Sequence, residues 1–170
     1  DKSMSNPAVS LVIPVYNEQA NIDELVDRCL KMCEGLGRSY EIILVDDGSS
    51  DNSRQLLREH AGKHGGKVIA VLLNRNYGQH PAVFAGLEKS RGEVVVTLDA
   101  DLQNPPEEVP KLLAKTDEGY DVVGSVRIKR KDSFFRRLPS LAINAVVRKT
   151  TGVMMSDYGC MLRAYHRNVV

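Results

Sequence analysis

Asp99 and Asp101 stand one residue apart where the apolar run Val94-Val95-Val96-Thr97-Leu98 stops. A continuous run of that kind reads as a parallel strand buried on both faces. Both carboxylates then sit where the strand leaves its sheet, and ligands of open α/β sheets gather at that edge. Two hard oxygen donors there suit Mg²⁺ or Mn²⁺, and such a cation suits a diphosphate. An isolated Asp-x-Asp more often caps a turn. Two further polar strand ends reverse that balance. Pro14-Val15-Tyr16-Asn17-Glu18 follows one apolar run and Asp46-Asp47-Gly48-Ser49-Ser50-Asp51 follows another. Tyr16 suits a base or ribose, and Glu18 suits a ribose hydroxyl. Asp46 or Asp47 can accept the N–H of a uracil or guanine edge. The Asp-Gly-Ser-Ser-Asp stretch would equally make a good turn without any ligand. Neither G-x-G-x-x-G nor G-x-x-x-x-G-K-[ST] occurs, which argues against a dinucleotide oxidoreductase or a P-loop NTPase.

The elements that must position these residues alternate between strand and helix. Strands are expected over 9–15, with Pro14 marking the end, and over 41–46, 68–73, 94–98 and 121–126. Helices are expected from Asn21 to Leu36, with Asn21 as N-cap and Gly37 as stop. Others run from Asp51 or Ser50 to about His64, from His80 to Ser90, and onward from Pro105-Pro106-Glu107-Glu108. Repeated βα units imply a mostly parallel, Rossmann-like sheet with helices on both faces. After Arg127 a basic loop leads to a helix over about 134–150, and a further strand falls within 154–165. Residues 1–8 read as a tail, disordered or left over from cloning. Residues 9–170 read as one catalytic domain that stops before further C-terminal, membrane-associated helices.

Composition sets the outer bounds. The chain has 170 residues, 42% of them hydrophobic and 26% charged, an ordinary globular balance. No signal peptide is visible, and no apolar stretch approaches the roughly 18 residues that a membrane span needs. This stretch of chain is therefore expected to be soluble. Three cysteines suggest a reducing compartment rather than a disulfide framework. Cys29 and Cys33 share a helix face with Ile22, Leu25, Val26 and Leu36, which is core spacing, and Cys160 reads as structural. Arg127, Lys129, Arg130, Lys131, Arg136, Arg137, Arg148 and Lys149 face only Asp132 within 127–149, a local charge of +7 in a chain of net +1. Such a segment points to an anionic partner. Phe134 and Phe135 interrupt it, but no nucleic-acid-binding motif accompanies them, so nucleic acid is not expected.

Four stretches carry a family resemblance: 73–80 (LNRNYGQH), 98–108 (LDADLQNPPEE), 117–124 (DEGYDVVG) and 157–165 (DYGCMLRAY). With them the chain resembles family 2 glycosyltransferases of the GT-A fold, in the polyprenyl-phosphate sugar synthase branch typified by dolichyl-phosphate mannose synthase. Within that branch it is most similar to the undecaprenyl-phosphate 4-deoxy-4-formamido-L-arabinose transferases. The resemblance implies that Pro14, Tyr16, Glu18, one of Asp46 and Asp47, and Asp99 hold the nucleotide. It implies that Asp101 and Gln103, with Asp99 close by, hold a Mg²⁺ or Mn²⁺ ion. Arg127, Arg136 and Arg137 would meet the acceptor phosphate. Asp157 stays open: it could orient the acceptor, act as a base, sit beside the metal's ligands, or simply make a turn at a strand edge. Arg75, Asn76 and Gly78 form a loop facing the same edge, in reach of nucleotide or donor sugar. His80 reads as a helix-start residue that packs or solvates.

The implied reaction moves a sugar from a UDP-sugar to undecaprenyl phosphate, in lipopolysaccharide and lipid A modification linked to antibiotic resistance. Its expected place is the cytoplasmic face of the bacterial inner membrane, and a homo-oligomer stays open. Two rivals stand beside it. One is a glycosyltransferase with another donor sugar or a soluble glycan acceptor. The other is a module that binds a nucleotide sugar or anionic lipid without catalysis.

Overall fold

The computed structural model describes residues 6–125 and 161–170. Six strands form one sheet in the order β3-β2-β1-β4-β6-β5. The strands are β1 (Val9–Val15), β2 (Tyr40–Asp46), β3 (Val68–Leu72), β4 (Val94–Thr97), β5 (Val122–Gly124) and β6 (Arg163–His166). The helices are α1 (Ile22–Gly35), α2 (Ser53–Lys63), α3 (Gln79–Lys89) and α4 (Val109–Asp117). A single 3₁₀ turn, Pro106–Glu108, leads into α4 where the sequence suggested a helix straight from Pro105. The expected helix over 134–150 lies outside the described residues.

The sheet is parallel from β3 through β4, as the repeated βα pattern implies. β6 breaks the pattern. It runs antiparallel between β4 and β5 and separates two strands that are consecutive up to that point of the chain. A strand thus falls at the end of the expected 154–165 stretch, and it lies inside the sheet.

β1 is buried along its whole length because both faces are covered. Leu11, Ile13 and Val15 pack with Ile22, Leu25, Val26 and Cys29 of α1 and with Leu112 and Leu113 of α4. Val12 packs on the opposite face with Ile43, Val45, Val95 and Ala82 of α3. Cys29 and Cys33 are fully buried, as their helical spacing predicts. Burial also pushes the Cys33 thiol up to about 12, and the Cys29 thiol higher still, so both are unreactive core groups.

β1 spans 9–15 as expected, with Pro14 its penultimate residue. Val12 accepts a hydrogen bond from Leu98 N on the β4 side, whereas Val15 accepts from Asp47 N on the β2 side. The alternation puts the missing N–H of Pro14 toward β4, beyond the last β1–β4 pair, Val12 with Thr97. The ladder loses nothing, and pairing with β2 continues to Val15. Pro7 is buried and its carbonyl accepts from Glu93 N, while Ala8 N donates to Ser39, so order begins before Val9.

The N-terminal edge of the sheet is closed by a buried carboxylate. Glu41, 1% exposed, accepts from Ser10 Oγ at 2.7 Å, from Arg91 N at 2.6 Å and from the Arg91 guanidinium at 3.0 and 3.2 Å. Ser10 Oγ in turn accepts from Gly92 N at 2.8 Å. This network ties β1, β2 and the α3–β4 loop together at the end opposite the acidic strand ends. Glu41→Ala leaves four donor groups to find new partners. It is expected to cost about 1.5–3 kcal/mol, the range for hydrogen bonds to a charged group. Urea unfolding should show a lower midpoint at unchanged slope.

Candidate active site

The strand order creates the site. β1 runs on to β2 and β3 on one side, and β4 lies on its other side, so connections leave the β1–β4 border in opposite directions. At such a switch point the carboxyl ends of the two strands part and leave a crevice. A cavity of about 250 Å³ opens there. Pro14, Tyr16 and Glu18 line it from β1, Asp47 from β2, and Asp99, Ala100 and Asp101 from β4. Asn76, Gly78 and Gln79 close it from the β3–α3 loop. The polar strand ends singled out in the sequence thus meet in one place.

Two neighbouring aspartates separate in function. Asp46, the last residue of β2, is fully buried and does not line the cavity. Its Oδ2 accepts from Arg54 Nε at 2.9 Å and Nη2 at 2.8 Å, and its Oδ1 from Ser49 N at 3.2 Å. Arg54 also donates to the Leu73 carbonyl, so the pair locks α2 to the ends of β2 and β3. Of the two, Asp47 lines the cavity, and it also has a structural role. Its Oδ1 accepts from Tyr77 N at 2.8 Å and its Oδ2 from Gly78 N at 2.9 Å. One carboxylate thereby fixes the cavity wall across 31 residues of sequence.

The β1–α1 and β2–α2 loops are laced together by residues whose partners sequence spacing did not show. Asn17 takes φ +54°, which its short amide side chain tolerates. Its Oδ1 accepts from Ser50 N at 2.8 Å, and its N–H donates to Ser49 Oγ at 3.0 Å. Glu18 N donates to Ser53 Oγ, and Asp51 accepts from Gln19 N and Ser53 N. Against the cost of its desolvation, these bonds hold the Asp51 carboxyl below its ordinary value. The Asp-Gly-Ser-Ser-Asp segment thus frames the site. Asp51 satisfies the start of α2 from one position before the cap residue, Asn52. Asn21 holds the expected N-cap position of α1, and its side chain donates through Nδ2 to Glu18 Oε2 at 2.7 Å rather than capping the helix.

On the β4 side, Asp99 is half-buried and Asp101 is exposed. Asp99 Oδ1 accepts from Gln79 Nε2 at 2.9 Å. Asp101 Oδ1 accepts from the backbone N–H of Gln103 at 3.0 Å, across Leu102 at φ +59°. Gln103 does not line the cavity. Its backbone N–H orients Asp101. Arg75 lies over the Tyr77 ring, 4.8 Å from its centre, and His80 sits exposed in the first turn of α3. Arg127, Arg136, Arg137, Asp157 and Cys160 lie outside the described residues.

Among the described residues no three Asp, Glu, His or Cys side chains form a cation cage. Asp99 and Asp101 nevertheless fit a Mg²⁺-type ion. Such ions usually take one or two protein carboxylates and complete their shell with waters and substrate phosphate.

The model of glycosyl transferase family 2 matches residues 10–169. The chain belongs to that family. It is 59% identical over 162 residues to an undecaprenyl-phosphate 4-deoxy-4-formamido-L-arabinose transferase of Edwardsiella ictaluri, covering 95% of this chain and 50% of that protein. The same identity holds for the protein so named in Pseudomonas aeruginosa strain LESB58, at 95% and 48% coverage. The chain spans about half the length of these curated relatives. Among solved structures, glucosyl-3-phosphoglycerate synthase from Mycobacterium tuberculosis in complex with UDP superposes with a TM-score of 0.70 at 26% identity, covering 96% of this chain and 58% of that one. A mannosyltransferase from Pyrobaculum calidifontis shares the fold, with a TM-score of 0.67 at 24% identity over 98% of this chain and 46% of that one. The family fold is the GT-A fold, as the four sequence stretches imply. No helix among the described residues is long and apolar enough to cross a membrane.

Proposed function

We propose that this chain carries the catalytic site of an inverting glycosyltransferase that moves 4-deoxy-4-formamido-L-arabinose from a UDP-sugar to undecaprenyl phosphate. The observation that carries the reading is the convergence of Glu18, Asp47, Asp99 and Asp101 in one cavity at the sheet's switch point. The names of the relatives at 59% identity support the sugar and the acceptor. The UDP complex of the mycobacterial enzyme supports the nucleotide. In this reading the enzyme serves lipid A modification at the cytoplasmic face of the inner membrane, and kinship to these relatives supports it.

In this reading Tyr16, Glu18 and Asp47 receive the nucleoside. Asp99 and Asp101 hold a divalent cation, which when bound neutralises charge on the departing UDP. The nucleophile is a phosphate monoester whose second pKa is near ~6, so it arrives already ionised. The site therefore has to position two anions more than it has to remove a proton. Arg127, Arg136 and Arg137 supply charge-assisted bonds to the acceptor phosphate, and Asp157 orients it. The phosphate oxygen forms its bond to the anomeric carbon as the bond to UDP breaks, which inverts that carbon.

A transfer assay with the UDP-linked sugar and undecaprenyl phosphate in detergent tests the reading. Formation of the lipid-phosphate sugar supports it. Transfer to a soluble glycan favours the first rival, and UDP binding without transfer favours a binding module. In that assay each of Arg127→Ala, Arg136→Ala and Arg137→Ala is expected to raise the acceptor KM or lower kcat by about tenfold or more, the worth of a charge-assisted hydrogen bond. UDP affinity by calorimetry should stay unchanged. Wild-type kinetics in all three variants would remove the basic segment from the acceptor site.

A further inference from the structure

The β3–α3 loop reaches both ends of the cavity within three residues. Tyr77 N and Gly78 N hold Asp47 at the nucleoside end. The next residue, Gln79, donates from Nε2 to Asp99 Oδ1 at 2.9 Å at the cation end. Gly78 makes this possible with φ +98°, a conformation open to glycine and strained for other residues. Gln79 is the first residue of α3, so its backbone is fixed by the helix and its position by the Asp47 clamp. On the other side of Asp99, Asn104 Nδ2 lies 3.5 Å from Oδ2.

We infer that Gln79 is a positioning residue that sets the orientation of the Asp99 carboxylate for the cation; this rests on the reading of Asp99 and Asp101 as its holders. The chemistry favours an amide here. A carboxylate turns about its Cβ–Cγ bond, and a cation must wait for or enforce the right orientation. A donor on one oxygen removes that freedom in advance. A neutral donor does so without adding charge: a lysine would oppose the incoming cation, and a glutamate has no proton to donate at neutral pH. Partners that orient metal-binding carboxylates are typically worth about 10- to 100-fold in metal affinity. The loop geometry adds that one short segment, anchored by Asp47, fixes both the nucleoside wall and the cation-binding carboxylate.

The test compares Gln79→Met with Gln79→Ala in the protein as it stands. Methionine keeps the length and packing of glutamine and removes the donor, while alanine removes both. Mn²⁺ binding is followed by the electron paramagnetic resonance signal of free Mn²⁺ in the presence of UDP. UDP binding in EDTA is followed by calorimetry. Both variants are expected to need about tenfold more Mn²⁺ for half-saturation, with UDP affinity in EDTA and the melting temperature close to wild type. Wild-type Mn²⁺ affinity in Gln79→Met would overturn the inference, as would equal losses of UDP affinity with and without the cation, which would mark a packing role. If the wild-type protein binds UDP equally in EDTA and in Mn²⁺, the reading of the cation site fails instead, and the inference falls with it.

Discussion

Asp101→Ala is expected to lower sugar transfer by about a hundredfold or more and to erase the Mn²⁺ dependence of UDP binding. The size follows from the role: losing a group that stabilises charge developing in the transition state typically costs ~3–4 kcal/mol. Asp101 is exposed, so the fold asks little of it. Its one hydrogen bond recorded among the described residues takes the Gln103 N–H at 3.0 Å and orders the turn after β4. Losing that bond should cost only about 1 kcal/mol of stability. Asp101→Asn separates the two contributions. Asparagine keeps an oxygen for the Gln103 N–H but removes the charge, so its melting temperature should match wild type while transfer falls as far as in the alanine variant. Near-wild-type transfer by Asp101→Asn in Mn²⁺ would show that the carboxylate is not a cation ligand.

Gly48→Ala is expected to be the most damaging single-methyl change near the site. Gly48 follows Asp47 with φ +70°, and a Cβ there would lie 2.7 Å from Arg75 Cα and closer still to Arg75 C and Asn76 N. All three are backbone atoms, so no side chain can swing away. The β3–α3 loop must move, and with it the Tyr77 and Gly78 N–H groups that bind Asp47. The left-handed conformation alone costs a non-glycine residue roughly 1–2 kcal/mol, and overpacking typically adds about 1–3 kcal/mol. Gly37→Ala is the matched control. Gly37 has φ +65° with nothing within 4 Å of a built Cβ, so it carries the conformational cost without the clash. Thermal unfolding of the two variants should therefore differ by the clash, with Gly48→Ala melting several degrees lower. UDP affinity should fall in Gly48→Ala and hold in Gly37→Ala. Equal melting temperatures in the two variants would mean that the loop yields without cost.

The sequence carried most of the framework. Apolar runs long enough for strands and bounded by turn residues placed β1 to β4 to within a residue or two, because strands covered by helices carry mostly apolar side chains. The spacing of Cys29 and Cys33 put both thiols in the core, where the structure has them. The end of an apolar run located Asp99 and Asp101 at a sheet edge. Local chemistry was enough for each of these, since a strand end and a helix face are properties of a few consecutive residues.

Tertiary structure decided the rest. Asp46 and Asp47 are the same residue type at adjacent positions, and only distant partners distinguish them. Arg54 claims the first from α2, while the second faces the cavity and holds a loop 30 residues further on. The backbone N–H of Gln103 meets the Asp101 carboxylate, a bond that the residue types alone did not announce. Gln79 carried no signal as a partner of Asp99, because they lie 20 residues apart on different strand connections. The antiparallel insertion of β6 beside β4 was equally invisible, for a short strand with weak alternation does not reveal which neighbour it will join. Hydrogen-bond partners across a sheet edge depend on strand order, and strand order is set by how the whole core closes rather than by any stretch of residues read alone.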